Sequence, residues 1–104
     1  MKIHCKCGHI IIDSTDDLPF KGHVIADQNL HSIFEMIDDS IEMSSDTLKE
    51  RQARCMHVRS NFPRRFIWQC NGCDRLYLDN ADNADNELVS FTPEEGKSSN
   101  ILKA

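Results

Sequence analysis

An α+β fold is the expectation for this chain of 104 residues: a small antiparallel sheet, with one or two helices inserted between its halves. Three observations predict it. β-favouring runs bounded by turn residues lie near both ends of the sequence. Between them the apolar pattern takes on a helical period. Two pairs of closely spaced cysteines, Cys5/Cys7 and Cys70/Cys73, fall at the turns of the two end segments. A chain this short organises a single hydrophobic core. Residues 1–104 are therefore read as one domain, with a helical insertion over about 28–60 and a loose tail over 93–104.

The opening reads as a hairpin. Lys2–Cys5 is followed by a turn through Cys7 and Gly8, then by His9–Asp13 with its run of three isoleucines. Ser14–Pro19 combines small, acidic and proline residues, which makes a loop, and Gly22–Ala26 is a short strand. From about Gln28, Leu30, Ile33, Phe34, Ile37 and Ile41 fall at the spacing of an amphipathic helix, with Asp27 or Asn29 as its cap. Ser44-Ser45-Asp46-Thr47 breaks that helix. Thr47 and Glu50 have the spacing of a capping box for a second one, over Leu48 to about Arg59, with Leu48, Cys55 and Met56 inward. Asn61-Phe62-Pro63 ends it. Phe66–Cys70 and Arg75–Asp79 form a second hairpin around Asn71-Gly72. After the polar stretch Asn80–Asn86, a third strand covers Glu87–Thr92. The core candidates are Ile10, Ile12, Leu30, Ile33, Phe34, Ile37, Ile41, Phe66, Trp68, Leu76 and Leu78.

No apolar run approaches the roughly 20 residues that span a bilayer, and the start lacks the apolar stretch of a secretory signal. A cytoplasmic location, without membrane association, is expected. Five cysteines without an export signal argue against a disulfide framework and for metal. Zinc takes four soft or borderline ligands in a tetrahedron, and two facing hairpin tips supply two sulfurs each. The candidate ligands are Cys5, Cys7, Cys70 and Cys73. His4 and His9 flank the first pair, and either could replace a thiolate. Four thiolates hold zinc or iron. Such a closed sphere leaves no position for water, so Zn2+ is expected to be structural.

Cys5/Cys7 as a first knuckle and Cys70/Cys73 as a second resemble a zinc ribbon. The sequence departs from common ribbons in the one-residue gap of its first pair. It departs also in the 62 residues between Cys7 and Cys70, where spacers of roughly 15–20 are usual. The resemblance implies a small sheet built on two zinc knuckles, with the helices held between them.

The net charge of −5 is unevenly spread. Carboxylates dominate residues 1–48, and basic groups dominate 49–75. Glu35, Asp38, Asp39 and Glu42 form an acidic helix face, a candidate surface for a protein partner. Arg51, Arg54, Arg59, Arg64 and Arg65, near Phe62, Phe66 and Trp68, are the alternative: arginines and aromatics together grip phosphates and stack bases. An acidic chain is a poor general binder of nucleic acid, so the protein partner leads. Cys55 and His57, two apart on a helix, point in different directions and make no nucleophile–base pair. With no phosphate loop, serine elbow or dinucleotide glycine pattern, no enzymatic activity is expected. The small, acidic, zinc-knuckled character is similar to that of bacterial immunity proteins of polymorphic or contact-dependent toxin systems. That resemblance implies binding and neutralisation of a cognate toxin domain through the acidic face.

Overall fold

A computed structural model describes residues 1–43, 47–79, 88–95 and 100–103. The proposed break at Ser44–Asp46, the polar stretch 80–86 and the start of the third strand at Glu87 lie outside the described residues. The elements run β1 (Lys2–His4), β2 (Ile10–Ile12), β3 (Lys21–Val24), α1 (Asp27–Glu42), α2 (Leu48–Ser60), β4 (Arg65–Gln69), β5 (Leu76–Asp79) and β6 (Leu88–Phe91). The fold is α+β, with two helices and antiparallel sheets. The chain divides into two compact units, one of residues 1–24 and 65–104, the other of residues 25–64.

The first unit holds all the strands. β1 and β2 form a two-stranded hairpin in which Ile3 faces Ile11. The hairpin is tightened where the Cys5 amide donates to the His9 carbonyl at 2.9 Å. The other four strands form an antiparallel sheet of order β3-β4-β5-β6. Ile3, Cys5, Ile11, Trp68, Cys70 and Tyr77 make its buried cluster, with Phe20, Phe66, Cys73 and Leu88 packed against it. Asp13 joins the hairpin to the sheet: its Oδ2 accepts from Trp68 Nε1 at 3.0 Å and lies 2.8 Å from Lys21 Nζ.

Two registers differ from expectation by one residue. Ile11 is buried while Ile10 and Ile12 are exposed. A run of three isoleucines carries no alternation of its own, so pairing with Ile3 decides which faces inward. In β5 it is Tyr77 that is buried, and Leu76 and Leu78 are half-buried. Part of the segment expected as a loose tail is in contact with the sheet. The Ile101 amide donates to Gln69 Oε1 at 3.1 Å, and a Cβ on Gly22 would stand 3.2 Å from a Leu102 methyl.

The second unit is a pair of helices. α1 starts at Ala26 without a side-chain cap, so neither Asp27 nor Asn29 serves as one; Asp27 lies inside the first turn. Thr47 does cap α2, its Oγ1 accepting from the Glu50 amide at 3.2 Å. Arg54 Nε donates to the Ser40 carbonyl at 3.1 Å, which brings α2 back along the end of α1. Only Ile33 of α1 is buried, and α2 buries none of its residues. Leu30, Phe34 and Ile41, expected in the core, are exposed, as are Leu48, Cys55 and Met56. The physical reason lies in α2, whose basic, weakly amphipathic sequence offers no apolar stripe for α1 to bury against.

Candidate metal centre

Each cysteine pair sits in a tight turn whose backbone is closed on itself. In the first, the Gly8 amide donates to the Cys5 carbonyl at 3.0 Å, with Gly8 at φ 96°, a conformation that favours glycine. In the second, the Cys70 amide donates to the Arg75 carbonyl, and the Asp74 amide returns to the Cys70 carbonyl, both at 2.9 Å. That second turn spans more than the Asn71-Gly72 dipeptide predicted for it. Gly72 is needed for close approach: a Cβ there would stand 3.2 Å from Cys7 Sγ and 3.3 Å from His9 Cβ.

The two turns bring four sulfurs together. Cys5 Sγ lies 3.5 Å from Cys73 Sγ, and Cys7 Sγ lies 3.5 Å from Cys70 Sγ. All four sulfurs fall within 4.8 Å of one another. Four sulfurs placed tetrahedrally at ~2.3 Å from a zinc ion stand ~3.8 Å apart, so a small adjustment, with the two 3.5 Å pairs opening slightly and the wider ones closing, fits this set around one cation. Cys5 and Cys70 are buried, Cys73 is half-buried and Cys7 is exposed. The centre is thus continuous with the core at one side and reaches the surface at the other. Neither His4 nor His9 joins the cluster among the described residues. Cys55, on α2, stays outside it.

The surroundings favour negative sulfur. Arg75 Nη1 points at Cys5 Sγ from 3.7 Å, its Nε anchored on Thr92 Oγ1 at 3.3 Å. The Gly72 amide donates to Cys70 Sγ at 3.3 Å. Burial pushes the Cys5 thiol up, but the Cys7 amide, the Tyr77 hydroxyl and the neighbouring thiols outweigh it and bring it down to about 5. Burial pushes Cys70 up to about 12, with Cys7 and Cys5 adding to the rise against amide bonds from Gly72 and Cys73. Cys73 is held down by the Arg75 amide, yet burial together with Cys5 and Cys7 leaves it raised. One thiolate is welcome in this cluster and a second is resisted by the first. A divalent cation removes that conflict.

Sequence reasoning missed Arg75, Tyr77 and the close approach at Gly72. Tyr77 accepts from the Lys6 amide at 3.4 Å, a link between positions 71 apart in the chain that no local pattern announces. Glu35, Asp38, Asp39 and Glu42 all lie exposed on α1. Two aromatics of the basic segment are otherwise engaged, while Phe62 lies under the Arg64 guanidinium at 5.9 Å. Trp68 is 2% exposed, and Phe66 packs edge-on to His23 and lies under Lys21 Nζ at 4.5 Å. Arg54 is bound to Ser40.

Fold and centre together define a class: small α+β proteins whose strand-bearing unit carries four clustered cysteines able to hold a metal ion. The chain belongs to DUF8617, a family described as a domain of unknown function, which matches residues 1–95 and so includes all four cysteines and both helices. Comparison with curated proteins and with solved structures returned no match. Among the described residues no helix is long and apolar enough to cross a membrane.

Proposed function

We propose that this chain is a protein-binding module whose strand-bearing unit is held by one structural Zn2+ on Cys5, Cys7, Cys70 and Cys73, in the manner of a zinc ribbon. The observation that carries the reading is the convergence of four sulfurs within 4.8 Å, drawn from turns more than 60 positions apart in sequence. Four protein ligands fill a tetrahedron and leave no open position for substrate or water, so the metal serves architecture and the work is done by a surface. Zinc suits a site whose four thiolates are supported by Arg75 and backbone donors; iron is the other ion such a set accepts.

The surface is the exposed acidic face of α1, Glu35, Asp38, Asp39 and Glu42, and its partner is a basic protein. In its sharpest form the role is that of an immunity protein, where carboxylates stand in for a phosphate backbone and speed encounter with a basic toxin domain. The burial of Trp68 and the packing of Phe66 favour this over the nucleic-acid alternative, since both rings serve the core rather than a stacking platform.

The test is to read the neighbouring genes and to titrate by calorimetry any basic toxin domain that they encode. Charge reversal at the four carboxylates (E35K, D38K, D39K, E42K) is expected to weaken binding by at least about tenfold with an unchanged circular dichroism spectrum. Unaltered affinity removes the acidic face from the proposal. Salt-sensitive retention of RNA or DNA that disappears with R64A and R65A favours the alternative.

A further inference from the structure

The cysteine centre has a dry side and a wet side. On the dry side Cys5 and Cys70 are 6% and 0% exposed, in the buried cluster that also holds Tyr77. On the wet side Cys7 is exposed, as are Lys6, Gly8 and His9 around it and Gly72 on the facing turn. Two of those flanking positions are glycines. A Cβ on Gly8 would meet nothing within 4 Å, and the Cβ position of Gly72 lies 3.2 Å from Cys7 Sγ and 3.6 Å from Cys70 Sγ. Neither position carries a side chain to screen Cys7 from a small solute.

Both 3.5 Å sulfur contacts cross from one turn to the other: Cys7 to Cys70, and Cys5 to Cys73. A disulfide needs ~2.05 Å between its sulfurs, so each sulfur of such a pair moves by ~0.7 Å to bond. The pairs are nested, Cys7 and Cys70 standing 63 positions apart and Cys5 and Cys73 standing 68. Either bond therefore closes the long loop that a shared cation closes, and joins the same two turns. A bond within one turn, Cys5–Cys7 or Cys70–Cys73, leaves that loop open.

We propose that this cluster is a modification site for hydrogen peroxide, which oxidises Cys7 first and leaves the four cysteines as the disulfides Cys7–Cys70 and Cys5–Cys73. The Cys7 thiolate attacks one peroxide oxygen. The O–O bond breaks, Cys7 becomes a sulfenic acid, and the departing hydroxide takes up a proton as water. The Cys70 sulfur, itself closed to solvent, then attacks the Cys7 sulfur. The S–O bond breaks, the S–S bond forms, and the second hydroxide also takes a proton and leaves as water. The two sulfurs together give up two electrons, and one peroxide takes them. Resting on the structural-zinc reading, the same step strips two of four ligands from the ion and releases Zn2+. A second peroxide converts Cys5 and Cys73 in the same way. One clamp across the two turns is thus exchanged for another.

The test adds hydrogen peroxide to the metal-loaded full chain carrying C55S, which removes the exposed thiol of α2 and any cross-link between copies through it. Zinc release is followed with a colorimetric chelator. Disulfides are mapped by mass spectrometry after an acid quench and alkylation in denaturant. About one equivalent of peroxide is expected to release about one zinc per chain and to form Cys7–Cys70 while Cys5 and Cys73 still take the alkylating agent. About two equivalents add Cys5–Cys73, and dithiothreitol restores zinc binding. The oxidised, zinc-free chain is expected to melt close to the loaded chain and well above the EDTA-treated one, because its disulfides close the loop that the cation closed. Cys70–Cys73 as the first disulfide, Cys7 carried to sulfinic acid with no disulfide, or thiols unmodified at about ten equivalents overturns the proposal. Zinc counted before peroxide is added reads the metal separately. A chain that purifies without metal fails the zinc reading, while the order and connectivity of its disulfides still decide this one.

Discussion

Replacing Cys70 by serine removes the least exposed of the four sulfurs, at 0% exposure, and with it both the contact to Cys7 Sγ at 3.5 Å and the acceptor for the Gly72 amide. If the four sulfurs hold one ion, the ion closes a loop running from Cys7 to Cys70. Constraining a loop of about 60 residues restricts the unfolded chain by about 4 kcal/mol on a chain-entropy argument, a large share of the 5–15 kcal/mol typical of a domain. At ~4–8 °C per kcal/mol for a domain of this size, the melting temperature falls by about 15–30 °C. The assay is thermal unfolding by near-ultraviolet circular dichroism, which follows Trp68 and Tyr77 in the core, with and without excess EDTA. Wild type should lose that interval on chelation. Cys70→Ser should start near the chelated value and ignore EDTA, and Cys55→Ser, exposed and outside the cluster, should behave as wild type. Superimposable melts for loaded and chelated wild type refute the reasoning, as does a Cys55→Ser cost equal to that of Cys70→Ser.

Other outcomes follow from the same contacts. Gly72→Ala places a methyl 3.2 Å from Cys7 Sγ and 3.3 Å from His9 Cβ, so metal affinity measured by chelator competition should drop while metal-independent helix content is kept. Asp13→Asn loses the ion pair with Lys21 and should cost about 1.5–3 kcal/mol in urea unfolding at neutral pH. Lys21 above all, then Trp68 Nε1, holds the Asp13 carboxyl below its ordinary 3.8. Its contribution is therefore complete above that value and fades as pH falls through the depressed one, and Asp13→Asn should flatten the acid limb of the stability curve. Zinc loading should release protons in a weakly buffered indicator solution, because Cys70, pushed up to about 12, and Cys73, also raised, carry theirs at neutral pH. Affinity then declines as pH is lowered, more steeply below about 5 where Cys5 regains its own proton; a pH-independent affinity contradicts this.

Much of the architecture could be read from local chemistry. The 3.6-residue period marked α1, the Thr47 cap marked the start of α2, and Cys-x-x-Cys with a glycine marked the second turn. Local chemistry failed wherever a long-range partner makes the decision. Ile11 rather than Ile10 or Ile12 points inward because Ile3 stands opposite it. Tyr77 wins over two flanking leucines because its hydroxyl finds Cys5 and the Lys6 amide, about 70 positions earlier. Arg75 has no local signature as a sulfur neighbour for the same reason. The apolar stripe of α1 was legible as a stripe, but burial is a property of two surfaces, and α2 supplies a basic one. Residues that pattern alone assigned to a core, Leu30, Phe34 and Ile41, thereby become an outward face.

X-ray absorption spectroscopy at the metal edge, with metal content from mass spectrometry, tests most directly whether Cys5, Cys7, Cys70 and Cys73 hold one cation. One zinc per chain with four sulfur neighbours at ~2.3 Å is the result predicted. Folded protein without stoichiometric metal, or a metal bound mainly by nitrogen or oxygen, would contradict it.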